Sequence, residues 1–416
     1  MTTASTDETA IRPPLRLRGG LKRLPWVRAL AEAMDRPLTN YYLLLVASAL
    51  LLTIGLIMVL SASSVSSFKH SGNSYAVVER QLMWVALGLP AAFLASRLPI
   101  KVVRGFAYPA FTVSLVLLGL TIKAGHEVNG NQNWLGIGPF QIQPSEIAKL
   151  AIVIWAANIF ANKERRLHSQ QQMLIPFLPG MLLAFGLVMA GNDLGTGLVF
   201  AAIAGGLLWV VGLPLRTFGL FALLGGVGVG ALAVVSPTRV ARLANFGDPF
   251  KDFHGTGWQQ GHGLYALSSG GWFGEGIGAS QQKWGSLPEA YTDFIYAVLG
   301  EELGLIGTLL VIGLFLTIAF AAVRVARRTE DPFVRYVTFG VVVWLIGQMI
   351  INIGMVLAVL PVIGIPLPLV SYGGSALVPS LVALGLVIGF ARREPEAARA
   401  LAARRKQRSA GLSVTR

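Results

Sequence analysis

The sequence has no cysteine, only five histidines and few charges: Asp, Glu, Lys and Arg make up 13% of its 416 residues, about half the ~25% of an ordinary soluble domain. Without cysteine there is no disulfide framework, no thiolate metal site and no cysteine nucleophile. His254 and His262 fall in one polar stretch, but zinc would need further ligands that the sequence does not offer. No Walker or Rossmann glycine pattern opens a helix, so a nucleotide-driven pump is not expected and no nucleotide cofactor is called for. Internal repeats are also absent. Residues 1–40 are polar and precede a full-length apolar run, a pattern without a cleaved signal peptide.

What is abundant is apolar side chain, at 54% of residues, with a mean hydropathy of +0.63. Runs of about 17 to 25 apolar residues recur from Tyr41 to Phe390, each long enough for about 30 Å of hydrocarbon. The expected fold is an all-α polytopic membrane protein with ten spans near 42–61, 79–96, 102–122, 145–161, 173–190, 196–212, 217–235, 294–323, 336–358 and 375–391. A basic N-terminal segment (1–40) precedes this membrane domain (41–391), and a basic tail (392–416) follows it. The net charge of +14 raises the question of nucleic acid, which the placement of the charges answers. With both termini cytoplasmic, 26 of the 34 Lys and Arg fall on the cytoplasmic side. That asymmetry is what insertion requires, so no nucleic-acid partner is inferred. The longest polar stretches, 123–144 and a large loop at 236–293 between spans 7 and 8, then lie outside. The centre of that loop, 268–278, is too rich in glycine for a regular helix and too apolar for free solution, so it is expected in the headgroup layer or re-entering the protein.

Three constellations carry chemistry. Gln143-Pro144-Ser145-Glu146 opens span 4, with Lys149 one turn inside it; such a pair is either a dressed helix end or a charge facing a cavity. Asp293 opens span 8 after Leu287-Pro288-Glu289-Ala290-Tyr291-Thr292, as a helix cap or as a partly desolvated base. Glu301 and Glu302 follow it deeper in the span, where they are expected to be structural. Third, Leu360 to Ser375 carries no charge, and is expected as irregular backbone lining a cavity or lipid-tail groove, or as a plain hairpin.

The motifs Gln143-Pro144-Ser145-Glu146-x-x-Lys149, Asn192-Asp193-Leu194-Gly195-Thr196, Asp248-Pro249, Ser269-Gly270-Gly271, Pro288-Glu289-Ala290-x-Thr292-Asp293-Phe294-Ile295, Gly300-Glu301-Glu302-Leu303-Gly304 and Ser371-Tyr372-Gly373-Gly374-Ser375 occur in one register across all the spans. Together they resemble the SEDS family of cell-shape and division proteins, and its FtsW branch more than its RodA branch. The resemblance implies a peptidoglycan glycosyltransferase in the bacterial cytoplasmic membrane, at the division septum, that polymerises lipid II at the outer face. It implies a class B penicillin-binding transpeptidase and other divisome membrane proteins as partners. The family's catalytic aspartate maps onto Asp293, and its helix-four Glu and Lys map onto Glu146 and Lys149. Two positions depart from the pattern: Tyr291 stands where the family usually has His, and Asn131-Gln132-Asn133-Trp134 stands where an Arg commonly precedes the Trp.

The implied reaction has chemical requirements of its own. A sugar hydroxyl attacks an anomeric carbon bearing a lipid pyrophosphate, so a base and a positive charge for the leaving group are needed. Asp293 is the candidate base. Lys149, Arg239, Arg242 and Lys283 are candidates for the charge, with a divalent cation (Mg or Mn) as a candidate companion of the phosphates. Gln143, Ser145, Ser371 and Tyr372 complete the candidate substrate contacts. Intramembrane charges and broken helices also suit a lipid II flippase, and the motifs are equally compatible with a RodA-like elongation polymerase or an inactive division scaffold.

Overall fold

The computed structural model describes residues 36–128, 131–137, 140–167, 169–234 and 247–403. The helices are α1 (Thr39–Ser71), α2 (Ala76–Arg97), α3 (Ile100–Gly105), α4 (Ala107–Ala124), α5 (Pro144–Asn162), α6 (Gln170–Leu174), α7 (Phe177–Ala190), α8 (Leu194–Val211), α9 (Leu215–Val234), α10 (Trp258–Ser269), α11 (Ile295–Arg328), α12 (Pro332–Val356) and α13 (Gly374–Arg392). Among the described residues, nine helical segments are long and apolar enough to cross a membrane, and α9 occupies the place of the expected seventh span. The ends of α1 and α13 meet where Asn40 donates to both Glu394 carboxylate oxygens at 3.0 and 3.3 Å, with Arg328 4.0 Å from the same group. The N-terminal and C-terminal segments therefore leave from one face, as an even number of spans requires.

Helix α5 is the centre of the bundle. It is apolar around its whole circumference and buried along nearly its full length, and α4, α12 and α13 pack on it. Pro144 at its first turn gives up an N–H that no helix would have used, which fixes where it starts. Its buried end at Gln143 to Lys149 is thereby delivered to one rim of the bundle.

Two expectations about that rim are corrected. Residues 123–144 are not a plain polar loop: β1 (His126–Val128), β2 (Asn131–Ile137) and β3 (Phe140–Ile142) form an antiparallel sheet in the order β1-β2-β3. Gln132 N–H donates to Gly191 O at 3.0 Å, so the sheet is seated on the turn between α7 and α8.

The eighth span is not one continuous helix. α11 breaks at Gly304, with φ 67° and ψ −167°. The carbonyls of Glu301 and Glu302 freed by the break accept from the N–H groups of Glu275 and Gly276, at 2.9 and 3.1 Å. On the other side, the N–H groups of Leu305 and Ile306 donate to Gly271 and Trp272 O at 2.9 and 3.2 Å. The glycine-rich loop thus re-enters the protein and supplies the backbone bonds that a broken helix in a membrane must find. A Cβ on Gly304 would sit 2.4 Å from Gly274 N. We expect Gly304→Ala to cost about 2 kcal/mol or more, from left-handed strain plus displaced backbone. An unchanged melting temperature in detergent would contradict this.

The orientation is testable because the chain has no native cysteine. Lys251 and Ser169 are both exposed and sit in segments expected on opposite faces. Lys251→Cys should react with a membrane-impermeant thiol reagent in intact cells and Ser169→Cys should not. The reverse pattern would invert the topology.

Candidate active site

Asp293 sits on the turn that leads into α11. Thr292 and Phe294 N–H groups donate to Glu289 O at 3.2 and 3.1 Å, and Asn352 Nδ2 donates to Asp293 O at 2.8 Å. The helix-cap reading of Asp293 is not what the structure shows: Phe294 holds the N-cap position, which has no side-chain cap. Among the described residues, no hydrogen bond ends on the Asp293 carboxylate, which is half-buried and faces Gly364. Burial first, then the charges of Glu289 and Asp193, push its pKa up to about 7.

Lys149 lies 1% exposed and Glu146 2% exposed, their ion pair closing at 2.7 Å. The ammonium also donates to Gln348 Oε1 at 3.1 Å, and Trp344 Nε1 donates to the same oxygen at 2.9 Å. Gln348 Nε2 in turn donates to Pro366 O at 2.9 Å, and Asn352 Nδ2 to Ile365 O at 2.7 Å. Trp344, Gln348 and Asn352 recur every four residues on α12, so they form one ladder along a single face. That ladder fastens Lys149, the segment Ile363–Pro366 and the Asp293 turn to one rigid rail. The notebook of motifs in the sequence alone does not reveal Trp344 and Gln348 as members of the site; polar Gln348 and Asn352 inside an apolar span are the signal that points to them.

Gln143 Nε2 donates to Asp193 Oδ2 at 3.3 Å, while Ser145 Oγ and Glu146 Oε2 are buried with no hydrogen-bond partner. Ser371 Oγ accepts from Leu367 N–H at 2.7 Å, which commits it to shaping the charge-free segment. Tyr372 N–H donates to Tyr291 O at 2.9 Å, and the two rings meet edge to face at 5.8 Å. Both tyrosines therefore stand beside the Asp293 turn. Burial, with Glu289 and Tyr372 adding to it, raises the pKa of the Tyr291 hydroxyl, against a hydrogen bond with Ser66.

Lys283 is placed elsewhere. Its ammonium uses three donors on Ser61 Oγ at 2.9 Å, Gly278 O at 2.7 Å and Glu302 Oε1 at 2.9 Å. Its charge is spent tying α1 and the outer loop to the break in α11, so it is a structural tie rather than a free cation for a leaving group. Glu301 joins the same cluster, accepting from Ser280 Oγ at 2.5 Å and Gln281 N–H at 2.9 Å. Glu301 and Glu302 have the structural setting expected of them. Arg239 and Arg242 lie outside the described residues.

A half-buried carboxylate with a near-neutral pKa, linked by a rigid ladder to a buried lysine, is suited to taking a proton next to an anionic group. A family model described as cell cycle protein, covering FtsW, RodA and SpoVE, matches residues 41–395. The chain belongs to this FtsW/RodA/SpoVE family. A probable peptidoglycan glycosyltransferase FtsW of Mycobacterium tuberculosis is 40% identical over 89% of this chain and 71% of its own length. Stage V sporulation protein E of Bacillus subtilis is 36% identical over 84% of this chain and 96% of its own. Among solved structures, a chain from a peptidoglycan synthase complex that coordinates polymerization and crosslinking superposes with a TM-score of 0.70 at 29% identity, covering 85% of this chain and 97% of that one. The rod-shape-determining protein RodA of Thermus thermophilus gives 0.63 at 29% identity, covering 85% and 96%. The FtsW/RodA/SpoVE assignment and the apolar helices make this a multi-pass membrane protein.

Proposed function

We propose that this protein is a peptidoglycan glycosyltransferase that polymerises lipid II at the outer face of the cytoplasmic membrane. The observation that carries the reading is the pairing of Asp293, half-buried and near-neutral in pKa, with Lys149 through the α12 ladder. Asp293 accepts the proton of the attacking sugar hydroxyl as that oxygen bonds to the anomeric carbon of the second substrate. The bond to the undecaprenyl pyrophosphate breaks, and the leaving group departs with the electron pair toward positive charge. Lys149 is the described cation best placed to receive it. Direct displacement inverts the anomeric carbon. A substrate already activated by pyrophosphate needs no nucleotide.

A divalent cation, Mg or Mn, belongs to this proposal only as a companion of the substrate's phosphates. Among the described residues no group of three or more His, Asp or Glu side chains is arranged to hold a metal ion. No step is therefore assigned to one. The FtsW relatives, and the synthase complex among the solved structures, support a septal role beside a class B penicillin-binding transpeptidase and other divisome membrane proteins. The test is to give labelled lipid II to the purified protein, with and without such a transpeptidase, and to separate the products on a gel. Glycan ladders are expected. Translocation of lipid II without any polymer would favour a flippase instead.

A further inference from the structure

Asp193 is a buried anion with no cation beside it. It is 6% exposed, and its carboxylate accepts from Thr196 N–H at 2.9 Å, Thr196 Oγ1 at 2.8 Å, Asn133 Nδ2 at 2.7 Å and Gln143 Nε2 at 3.3 Å. Among the described residues no Lys, Arg or His forms an ion pair with it. The two Thr196 bonds suffice to cap α8. The bonds from Asn133 on β2 and Gln143 before α5 go beyond capping, and they hold a full negative charge at a fixed point.

That point faces Asp293 across the segment Ile363–Ile365. On one side, a Cβ on Gly195 would lie 2.7 Å from Ile363 O and 3.6 Å from Asp193 Oδ1. On the other, a Cβ on Gly364 would lie 3.4 Å from Asp293 Oδ2. Glycines thus let a single extended strand of backbone pass between the two carboxylates. The charged groups facing Asp293 are Glu289 on its own turn and Asp193 on α8. Tyr291 and Tyr372 contribute neutral phenols, and Asn352 on α12 reaches only the main-chain oxygen.

We propose that Asp193 is a positioning residue that acts through Asp293: its fixed charge, held on the far side of Ile363–Ile365, keeps Asp293 a strong enough proton acceptor to serve as the base near neutral pH. The inference rests on the polymerase reading above. A carboxylate at its ordinary solution value is a weak acceptor for a sugar hydroxyl's proton, so a neighbouring anion that cannot move away has a direct use.

Two variants remove the charge in different ways, and glycan synthesis from labelled lipid II is measured against pH for both. Asp193→Asn keeps a good capping side chain. Asn133→Arg leaves Asp193 and its cap in place and sets a cation against it, so the test survives if the first variant folds poorly. In each, the acid limb of the rate profile should move down by about 0.5 pH unit or more, which raises the share of the plateau rate kept 1.5 units below the wild-type midpoint by about three-fold. A structural role alone would change the plateau and leave the midpoint where it was. If wild type makes glycan, Asp293→Asn does not, and both variants keep the wild-type midpoint, the role given to Asp193 is overturned. If wild type makes no glycan under any condition, it is the polymerase reading that fails.

Discussion

Replacing Asp293 with Asn is expected to lower glycan synthesis by about 100-fold or more, the scale for losing a positioned proton acceptor. The structure removes the usual objection to this variant. Asp293 caps nothing, since the N-cap of α11 is Phe294 and lacks a side-chain bond. Its one tie to α12 runs from Asn352 to the main-chain oxygen, which the substitution keeps. Fold and transpeptidase binding should therefore be unaffected. Asp293→Glu retains the carboxylate but moves it by a methylene against the Ile363–Ile365 backbone, so little of the rate should survive. In wild type the rate should rise with pH through about 7, because only the deprotonated carboxylate can accept the proton and burial holds its pKa there. Wild-type synthesis by folded, partner-bound Asp293→Asn would mean that the base lies elsewhere.

Much of this architecture is legible in the sequence because bilayer insertion writes itself into composition. Apolar runs of fixed length and one-sided Lys and Arg locate the spans and the outer rim without any tertiary information. Pro144 and Glu146 likewise announce the start of α5 locally. What is hidden is whatever two distant segments settle between them. The break in α11 depends on Gly304 meeting Gly274 backbone to backbone, and hydropathy is blind to that because the residues on both sides of the break are apolar. The β1-β2-β3 sheet escapes for a similar reason: two of its strands have three residues each, too short for an alternating pattern. Lys283 misleads because the sequence shows its charge and not Glu302, Ser61 and Gly278 O, which consume it. The α12 ladder was half visible. Gln348 and Asn352 are polar groups at helical spacing in an apolar span, which marks a face, though only the fold shows that the face touches both Lys149 and the Asp293 turn.

The second large effect concerns Lys149. Lys149→Met should strand Glu146, which is 2% exposed and already has one oxygen without a partner. Breaking one side of a buried pair costs about 3–5 kcal/mol, or forces the survivor to change protonation. Folded yield and polymerisation should both fall sharply. The double variant Glu146→Gln, Lys149→Met separates the two losses, because exchanging both charges for uncharged groups of similar size is often close to neutral for stability. Yield should then recover, while polymerisation should not, since no cation would remain where the pyrophosphate departs. Lys149→Arg tests the same point with the charge kept: a planar guanidinium must fit between Glu146, Gln348 and the Trp344 ring, 5.9 Å from the ammonium, and a fork is a poor substitute for a point charge there. A double variant that folds and polymerises at the wild-type rate would reduce the pair to a structural tie. It would also require the leaving group's countercharge to come from a residue other than Lys149.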